Sequence, residues 1–206
     1  MDPNEVPTKG NLVRARNSLK LSRQGYELMD KKRNILIREL TKYIEQAKVI
    51  QISIDEAYKT AYAALQRANI RMGIDNVQAI SRTVNVDESI DVRLRSVMGT
   101  EIPLVRYAKE EGGKPAYSFY STYESLDEAK KAIVRVKELT LELAQVEIAA
   151  YRLAAGVQKT RKRANALQNI TIPYYEELAK SIQNSLEEKE REEFTRLKVI
   201  KRMKVK

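Results

Sequence analysis

The chain contains no cysteine, no histidine and no tryptophan. The first two absences remove disulfides, thiolate nucleophiles, imidazole general bases and the usual zinc ligands together. Glycine and proline are scarce as well, seven and five among 206 residues. So few turn-forming residues build few turns, and the elements between them are expected to be few and long. Aromatic residues make up 6% of the chain and charged residues 32%, which favours an extended object over a wide globular core. No run approaches the ~20 apolar residues of a membrane-spanning helix; even "LAQVEIAAYRLAAGV" is broken by Glu147 and Arg152. The opening "MDPNEVPTKG" lacks the apolar centre of a signal peptide. A soluble or membrane-peripheral chain, compatible with a reducing cytoplasm, is expected. Catalytic machinery is missing too: no Gly-rich phosphate loop, no paired carboxylates in a concave setting, no nucleophile–base constellation. The chain is therefore not expected to be an enzyme by itself, nor to hold a cofactor or metal.

What is present is a long apolar periodicity. From Leu12, alternating steps of three and four land on Ala15, Leu19, Ser22, Tyr26, Met29, Arg33, Leu36, Leu40, Tyr43, Ala47, Ile50, Ile54, Ala57, Ala61, Ala64 and Ala68. Only Ser22 and Arg33 depart from apolar character. One heptad register held this long predicts a helix with a partner along its whole length, roughly 85 Å at 1.5 Å per residue. From Ala129 the same steps land on Ala132, Val136, Leu139, Leu143, Val146, Ala150, Leu153, Val157, Thr160, Ala164, Leu167, Thr171, Tyr174 and Leu178. This second register is expected to cross Pro173 without a slip. The proline, which follows the β-branched run Ile170–Thr171–Ile172, then marks a kink or strained turn inside a continuing helix. Beyond Leu178 the seam drifts through Ile182, Leu186, Phe194 and Leu197.

Between the two helical stretches the period changes. "SIDVRLRSV" alternates, "MGTE" is a turn signal centred on Gly99 and Thr100, and "IPLVRY" reads as a returning strand. "EEGGKP" is a second break and "AYSFYSTY" a strand-like aromatic run. Ser125 with Glu128 three residues on forms a capping-box pattern for the second helix. The fold class is thus mainly α, a long antiparallel two-helix coiled coil with a small β-hairpin-containing insert. Its expected divisions are an N-terminal arm (1–10), a coiled-coil helix (11–72), the insert (73–124), a second coiled-coil helix kinked near Pro173 (125–200) and a basic tail (201–206).

If Ala68 lies near Ala129, partner residues across the hairpin have numbers summing to roughly 197. Pro173 then faces Gln24 and Gly25, where glycine admits close approach, and Arg33 faces the small Ala164. The termini meet at one tip, which is strongly basic. Of the net charge of +10, residues 1–70 carry +5 and residues 129–206 carry +8, with −3 between them. Arg14, Arg16, Lys20 and Arg23 lie in a stretch with no acid between Glu5 and Glu27, and Arg196, Lys198, Lys201 and Arg202 lie in an acid-free end. Basic residues suit a helix C-terminus through the dipole but disfavour an N-terminus, so a partner-contact role is expected for these eight. By contrast, Glu187 with Arg191 and Glu192 with Arg196 read as i,i+4 pairs on a solvated face, and "KTRKRAN" (159–165) reads as an exposed coil face.

At both ends specific residues carry a resemblance. "PTKGNLVRARNSLKLSRQGYELMDKKRNIL" is similar to the N-terminal signature of the D subunits of the vacuolar (V-type) and archaeal-type (A-type) rotary ATPases, with Tyr26 where that family commonly has His and Asn34 where it commonly has an acid. "RKRANALQNITIPYYEELAKSIQNSLEEKEREEFTRLKVIK" resembles the family's most specific motif. The resemblance covers about 70 residues at the two ends, together with the helix–insert–helix plan. It implies a central rotor shaft whose paired terminal helices enter a ring of catalytic and non-catalytic nucleotide-binding subunits. It also implies that the lower part joins a small central-stalk partner, the F subunit, and a membrane-side socket subunit of the C/d type. The nucleotide sites belong to the ring, and contact with the membrane comes only through the complex, at its cytoplasmic face. Gly25 and Pro173 are then candidates for a shaft bend that makes the rotor asymmetric.

A basic coiled-coil scaffold for nucleic acid or anionic membrane is the alternative reading. Nucleic-acid binding would be steeply salt-dependent, but no aromatic platform is interleaved with the basic residues for stacking on bases. The narrow seam also lacks the broad apolar face that interfacial membrane binding requires.

Overall fold

The computed structural model describes residues 6–84, 90–107, 117–118, 120 and 122–204. Residues 1–5 of the expected arm, the "EEGGKP" break, Ala116, Phe119 and Ser121 of the aromatic run, and the last two residues of the basic tail lie outside them. The chain comprises α1 (Lys9–Met72), α2 (Ile74–Ser81), β1 (Ile90–Val97), β2 (Thr100–Tyr107), α3 (Glu124–Ala166), a π-helical turn (Leu167–Thr171) and α4 (Ile172–Lys204). It divides into two compact units, one of residues Met1–Ile35 with Val157–Lys206, the other of Leu36–Gly156.

In the unit of Leu36–Gly156, the predicted seam is the core. Ile50, Ile54, Leu139 and Val146 form a buried cluster against which Tyr43, Ala47, Ala57 and Leu143 pack. Leu36 and Leu153 are wholly buried, and Ala61, Ala64, Ala68 and Ala129 continue the seam. Each fully buried Leu or Ile contributes roughly 1.5–3 kcal/mol. Arg67 and Glu128 pair across this antiparallel arrangement at 3.6 Å.

Helix α1 stops at Gly73, whose φ of 82° leaves the helical region. Asn76 folds back to donate to the Met72 carbonyl at 2.8 Å, filling one of the acceptors a helix end leaves open. Helix α2 then begins with Asp75 in its first turn, where a carboxylate suits the dipole. This short helix was not anticipated, although Ile74, Val77 and Ile80 carry its spacing.

Strands β1 and β2 pair antiparallel from Ile90↔Tyr107 to Val97↔Thr100. The loop consists of Met98 (φ 50°) and Gly99 (φ 74°), a two-residue turn with both residues left-handed, which matches strand twist. The turn was expected at Gly99 and Thr100; instead Thr100 is the first residue of β2. It also packs: a Cβ on Gly156 of α3 would stand 2.8 Å from Thr100 Oγ1 and 3.7 Å from Leu36 Cδ1, so glycine is what lets the hairpin tip reach the helix. Gln145 Oε1 accepts from the Val105 N–H at 2.8 Å, and Arg152 donates to the Glu101 carbonyl at 3.2 Å. Two side chains of α3 thereby satisfy backbone groups along β2, where an open strand edge would otherwise face solvent.

Two further expectations are corrected in this unit. Tyr117, Ser118, Tyr120, Thr122 and Tyr123 form no strand, and Ser125 is not the cap of α3. The helix starts one residue earlier, at Glu124, so Ser125 falls inside the first turn, 4% exposed, with its hydroxyl unpartnered. Tyr117 instead donates to Asp127 Oδ1 at 2.6 Å, and Lys130 lies 5.4 Å from the centre of its ring.

In the unit of Met1–Ile35 with Val157–Lys206, three side-chain pairs fix an antiparallel arrangement: Lys9 with Glu190, Arg16 with Gln183 and Arg23 with Glu176. In each pair the residue numbers sum to 199, within a turn of the expected 197. The helix passes Pro173, as expected, but not without a slip. The turn before the proline is π-helical: the Ile172 N–H donates five residues back to the Leu167 carbonyl, and the Thr171 hydroxyl approaches the Ala166 carbonyl at 3.4 Å. A wider turn relieves the clash that a proline ring makes with the preceding turn of an α-helix. It also inserts one residue into the register. Tyr174, expected on the seam, is 46% exposed, while Ala179 and Ile182 are buried. The drift seen in the sequence after Leu178 is this one-residue insertion.

Gly25 lies against the π turn that precedes Pro173. A Cβ placed on it would meet Leu167, the first residue of the π turn, at an ordinary 3.7 Å, so the site admits a methyl group. Arg33 pairs with Asp30 one turn away on its own helix. Glu187 accepts from Gln183 at 3.0 Å in place of the expected Arg191, whereas Glu192 and Arg196 do pair, at 3.8 Å. Helix α4 continues through Lys204, past the expected limit of 200, with Lys201, Arg202 and Lys204 in its last turn where cations favour the dipole.

Two outcomes follow. Deleting Ile170, whose side chain is 70% exposed, should close the π turn and rotate α4 by about 100°, carrying Ala179 and Ile182 off the seam. Urea melts should then show a loss of about 3 kcal/mol or more, against little change for Ile170→Ala. At Tyr117, burial first and the Asp127 carboxylate second push the pKa from 10.0 up to about 12. As pH rises through that interval the unfolded chain releases the proton before the folded one does, so the stability that this group contributes is full below pH 10 and lost by about 12. Tyr117→Phe should cost about 1 kcal/mol at neutral pH, and its deficit relative to the unaltered chain should close across that window in melts at fixed pH.

Candidate partner interface

The eight basic residues singled out from the sequence all lie in the unit of Met1–Ile35 with Val157–Lys206. They do not form one equivalent patch. Arg16 and Arg23 are turned onto α4: Arg16 Nη2 donates to Gln183 Oε1 at 2.8 Å and Arg23 Nη2 to Glu176 Oε1 at 2.6 Å. With Lys9 and Glu190 at 3.1 Å they make a ladder with a rung at every heptad. The physical reason is the coil: residues flanking the seam at seven-residue spacing return to the same face and meet their counterparts on the other helix. These two arginines are thus engaged within the chain, which the charge count alone did not reveal.

Arg14 and Lys20 are exposed and make no ion pair among the described residues. Arg14 lines a half-open groove of about 360 Å³ together with Asn17, Ser18, Tyr174, Tyr175 and Leu178. Tyr174 and Tyr175 meet edge to face, ring centres 5.2 Å apart. The tyrosines were not foreseen as site residues. The signal lay in the β-branched run before Pro173, since the wide turn it accompanies moves Tyr174 off the seam.

The remaining four, Arg196, Lys198, Lys201 and Arg202, lie on the last turns of α4. Lys9, the first residue of α1, is level with Glu190, and every residue from 187 to 204 is exposed. Phe194, Leu197, Val199, Ile200 and Met203 are between 49% and 70% exposed. Five large apolar side chains stand in water there with basic residues between them, an exposed patch of the kind that marks interaction sites in soluble proteins. Gly99 and Thr100 lie in the other unit, at the hairpin tip, and Gly25 and Pro173 flank the π turn as described. Among the described residues there is no cluster of acidic side chains able to hold a metal ion, and no helix is long and apolar enough to cross a membrane.

The ladder should contribute little to stability, because its members are 46–81% exposed in the two ion pairs and exposed pairs are worth ~0–1 kcal/mol each. Replacing Lys9, Arg16 and Arg23 together by Gln should lower the melting temperature by a few degrees in dilute buffer and have almost no effect in molar salt, where charges are screened within about 3 Å. An equal loss at both salt concentrations would mean that packing, and not charge, is what the rungs supply.

Comparison with known proteins places these features in a family. Residues 11–202 match the family model described as the D subunit of ATP synthase. The chain is 40% identical to the V-type ATP synthase D subunit of Thermotoga neapolitana, over 95% of this chain and 96% of the relative. It is 34% identical to the A-type ATP synthase D subunit of Methanopyrus kandleri over 95% of this chain and 84% of that one. The A-type D subunit of Pyrococcus abyssi is likewise 34% identical, with 95% and 92% covered.

Proposed function

The chain belongs to the family of ATP synthase D subunits, and on that premise we propose that it is the central rotor shaft of a V/A-type ATPase. The observation that carries this reading is the end of α4, fully exposed from 187 to 204 and carrying both large apolar and basic side chains. Such a helix end is stable in an assembly that surrounds it. In the proposed arrangement it enters a ring of alternating catalytic and non-catalytic nucleotide-binding subunits. Elsewhere the shaft joins the small F subunit of the central stalk and the membrane-side socket subunit of the C/d type, so that the chain sits peripherally at the cytoplasmic face of the membrane.

The mechanism needs no reactive group on the shaft. An asymmetric shaft inside a nearly threefold ring makes different contacts with each catalytic subunit, so the open and closed forms of each site differ in free energy. Hydrolysis at one site makes the next shaft orientation the favoured one. By linkage, turning the shaft changes nucleotide affinity, which allows the same parts to run toward synthesis or toward ion pumping. The source of asymmetry in this proposal is the π turn before Pro173, which offsets the seam of α4 by one residue.

The test is to mix the purified chain with the nucleotide-binding ring from the same cell. A one-to-one complex that elutes together with an altered ATPase rate is expected. Pro173→Ala should join the ring equally well and lower the ratio of ions moved to ATP hydrolysed in the complete, membrane-bound assembly. Absence of a complex, with tight salt-sensitive binding to DNA or anionic vesicles in its place, would overturn the shaft reading; unchanged coupling in the variant would remove the π turn from it.

A further inference from the structure

We propose that the groove lined by Arg14, Asn17, Ser18, Tyr174, Tyr175 and Leu178 receives the carboxylate of an Asp or Glu side chain from a neighbouring subunit, an inference that rests on the shaft reading. The cavity is about 360 Å³, room for one side chain and its backbone. Its lining holds one cation and no acid. Arg16 and Arg23 of the same helix are bonded to Gln183 and Glu176 of α4, whereas Arg14, like the exposed Lys20, has no partner among the described residues; of these two only Arg14 lines the groove. An unpaired arginine in a groove whose lining holds no acid is complementary to an anion.

The lining also selects the kind of anion. A planar guanidinium takes a carboxylate through two parallel hydrogen bonds, a match of one positive to one negative charge. A free phosphate, with nearly two negative charges at neutral pH, would call for further cations that the groove does not have. Asn17, Ser18 and the two tyrosine hydroxyls supply neutral donors, and Leu178 with the edge-to-face tyrosine rings supplies an apolar wall for the methylene stem of Asp or Glu. Tyr174 contributes to this wall because the π turn sets it 46% exposed, off the seam it would otherwise occupy. The asymmetric feature of α4 and the unmatched charge of α1 therefore meet in one groove.

The chain has no cysteine, so Ser18→Cys places a single thiol in the groove. Loaded with a thiol-linked photoreactive group and assembled with the other subunits, it should crosslink to a peptide of a neighbouring subunit that contains Asp or Glu. Arg14→Gln, which breaks no ion pair or hydrogen bond among the described residues, should melt like the unaltered protein and weaken assembly roughly fivefold, the size of one exposed ion pair. Reversing the crosslinked acid to Arg together with Arg14→Glu should restore the affinity. Crosslinks confined to this chain, or an Arg14→Gln complex of undiminished affinity, would overturn the carboxylate proposal while leaving the shaft reading standing. Failure of the unaltered chain to assemble at all would instead overturn the shaft reading. Protection of the Ser18→Cys thiol by millimolar inorganic phosphate, lost with Arg14→Gln, would assign the groove to a free anion and overturn the proposal as well.

Discussion

Two helices that share one apolar seam must keep facing each other at every heptad, and each notable feature of this chain either obeys that constraint or manages a departure from it. A side chain at seam spacing is buried or half-buried along α1 from Leu12 to Ala68, including the off-pattern Ser22 and Arg33. Ser22 is accommodated by donating its hydroxyl to the Ser18 carbonyl at 2.8 Å, and Arg33 by pairing with Asp30 on its own helix. Neither requires anything from the facing helix. The seam tolerates a polar residue where local chemistry satisfies it.

Pro173 is a harder problem, and its solution changes the geometry downstream. An α-helical turn would set the ring against the preceding carbonyl; the π turn removes that conflict and adds a residue to the repeat. Everything after it faces a different way from what the heptad count implies. The exposed Tyr174, the buried Ala179 and Ile182 and the groove beside Arg14 all follow from that one insertion. A local backbone accommodation is in this way expressed as the surface character of a whole helix end.

Much of this was legible in the residues. Heptad spacing marked α1, α3 and their antiparallel sense because period and burial are tied by helix geometry, and alternation in Ile90–Val97 marked the hairpin. What escaped was set by effects that spacing does not encode. A π turn has no simple repeat of its own, so the slip was visible only as a drift after Leu178. Ser125 fits a capping pattern, yet the helix begins at Glu124, since helix ends are decided by hydrogen-bond geometry over single residues. At the candidate interface, charge counting could not separate Arg16 and Arg23, which bond to α4, from Arg14 and Lys20, which do not. Which arginine is matched depends on the rotation of each helix about its axis, and that is a tertiary fact.

The two units also differ in what fills their seams. In that of Leu36–Gly156 the buried residues include Leu36, Ile50, Ile54, Leu139 and Leu153; in the other they are mostly Ala15, Ser22, Thr160, Ala164 and Ala179, with Ile182 the largest. Contacts such as Arg67 with Glu128 close a short stretch of chain, whereas Lys9 with Glu190 joins residues separated by nearly the whole of it. During synthesis the first half of α1 leaves the ribosome before the insert and α3, and its counterpart α4 only after them. Loop-closure entropy and weak small-residue burial then both place that pairing at the end of the folding order. Until α4 emerges, the apolar stripe from Leu12 to Met29 has no mate. While the insert and α3 are being made, this stripe is therefore open to capture, by a chaperone or by a wrong partner.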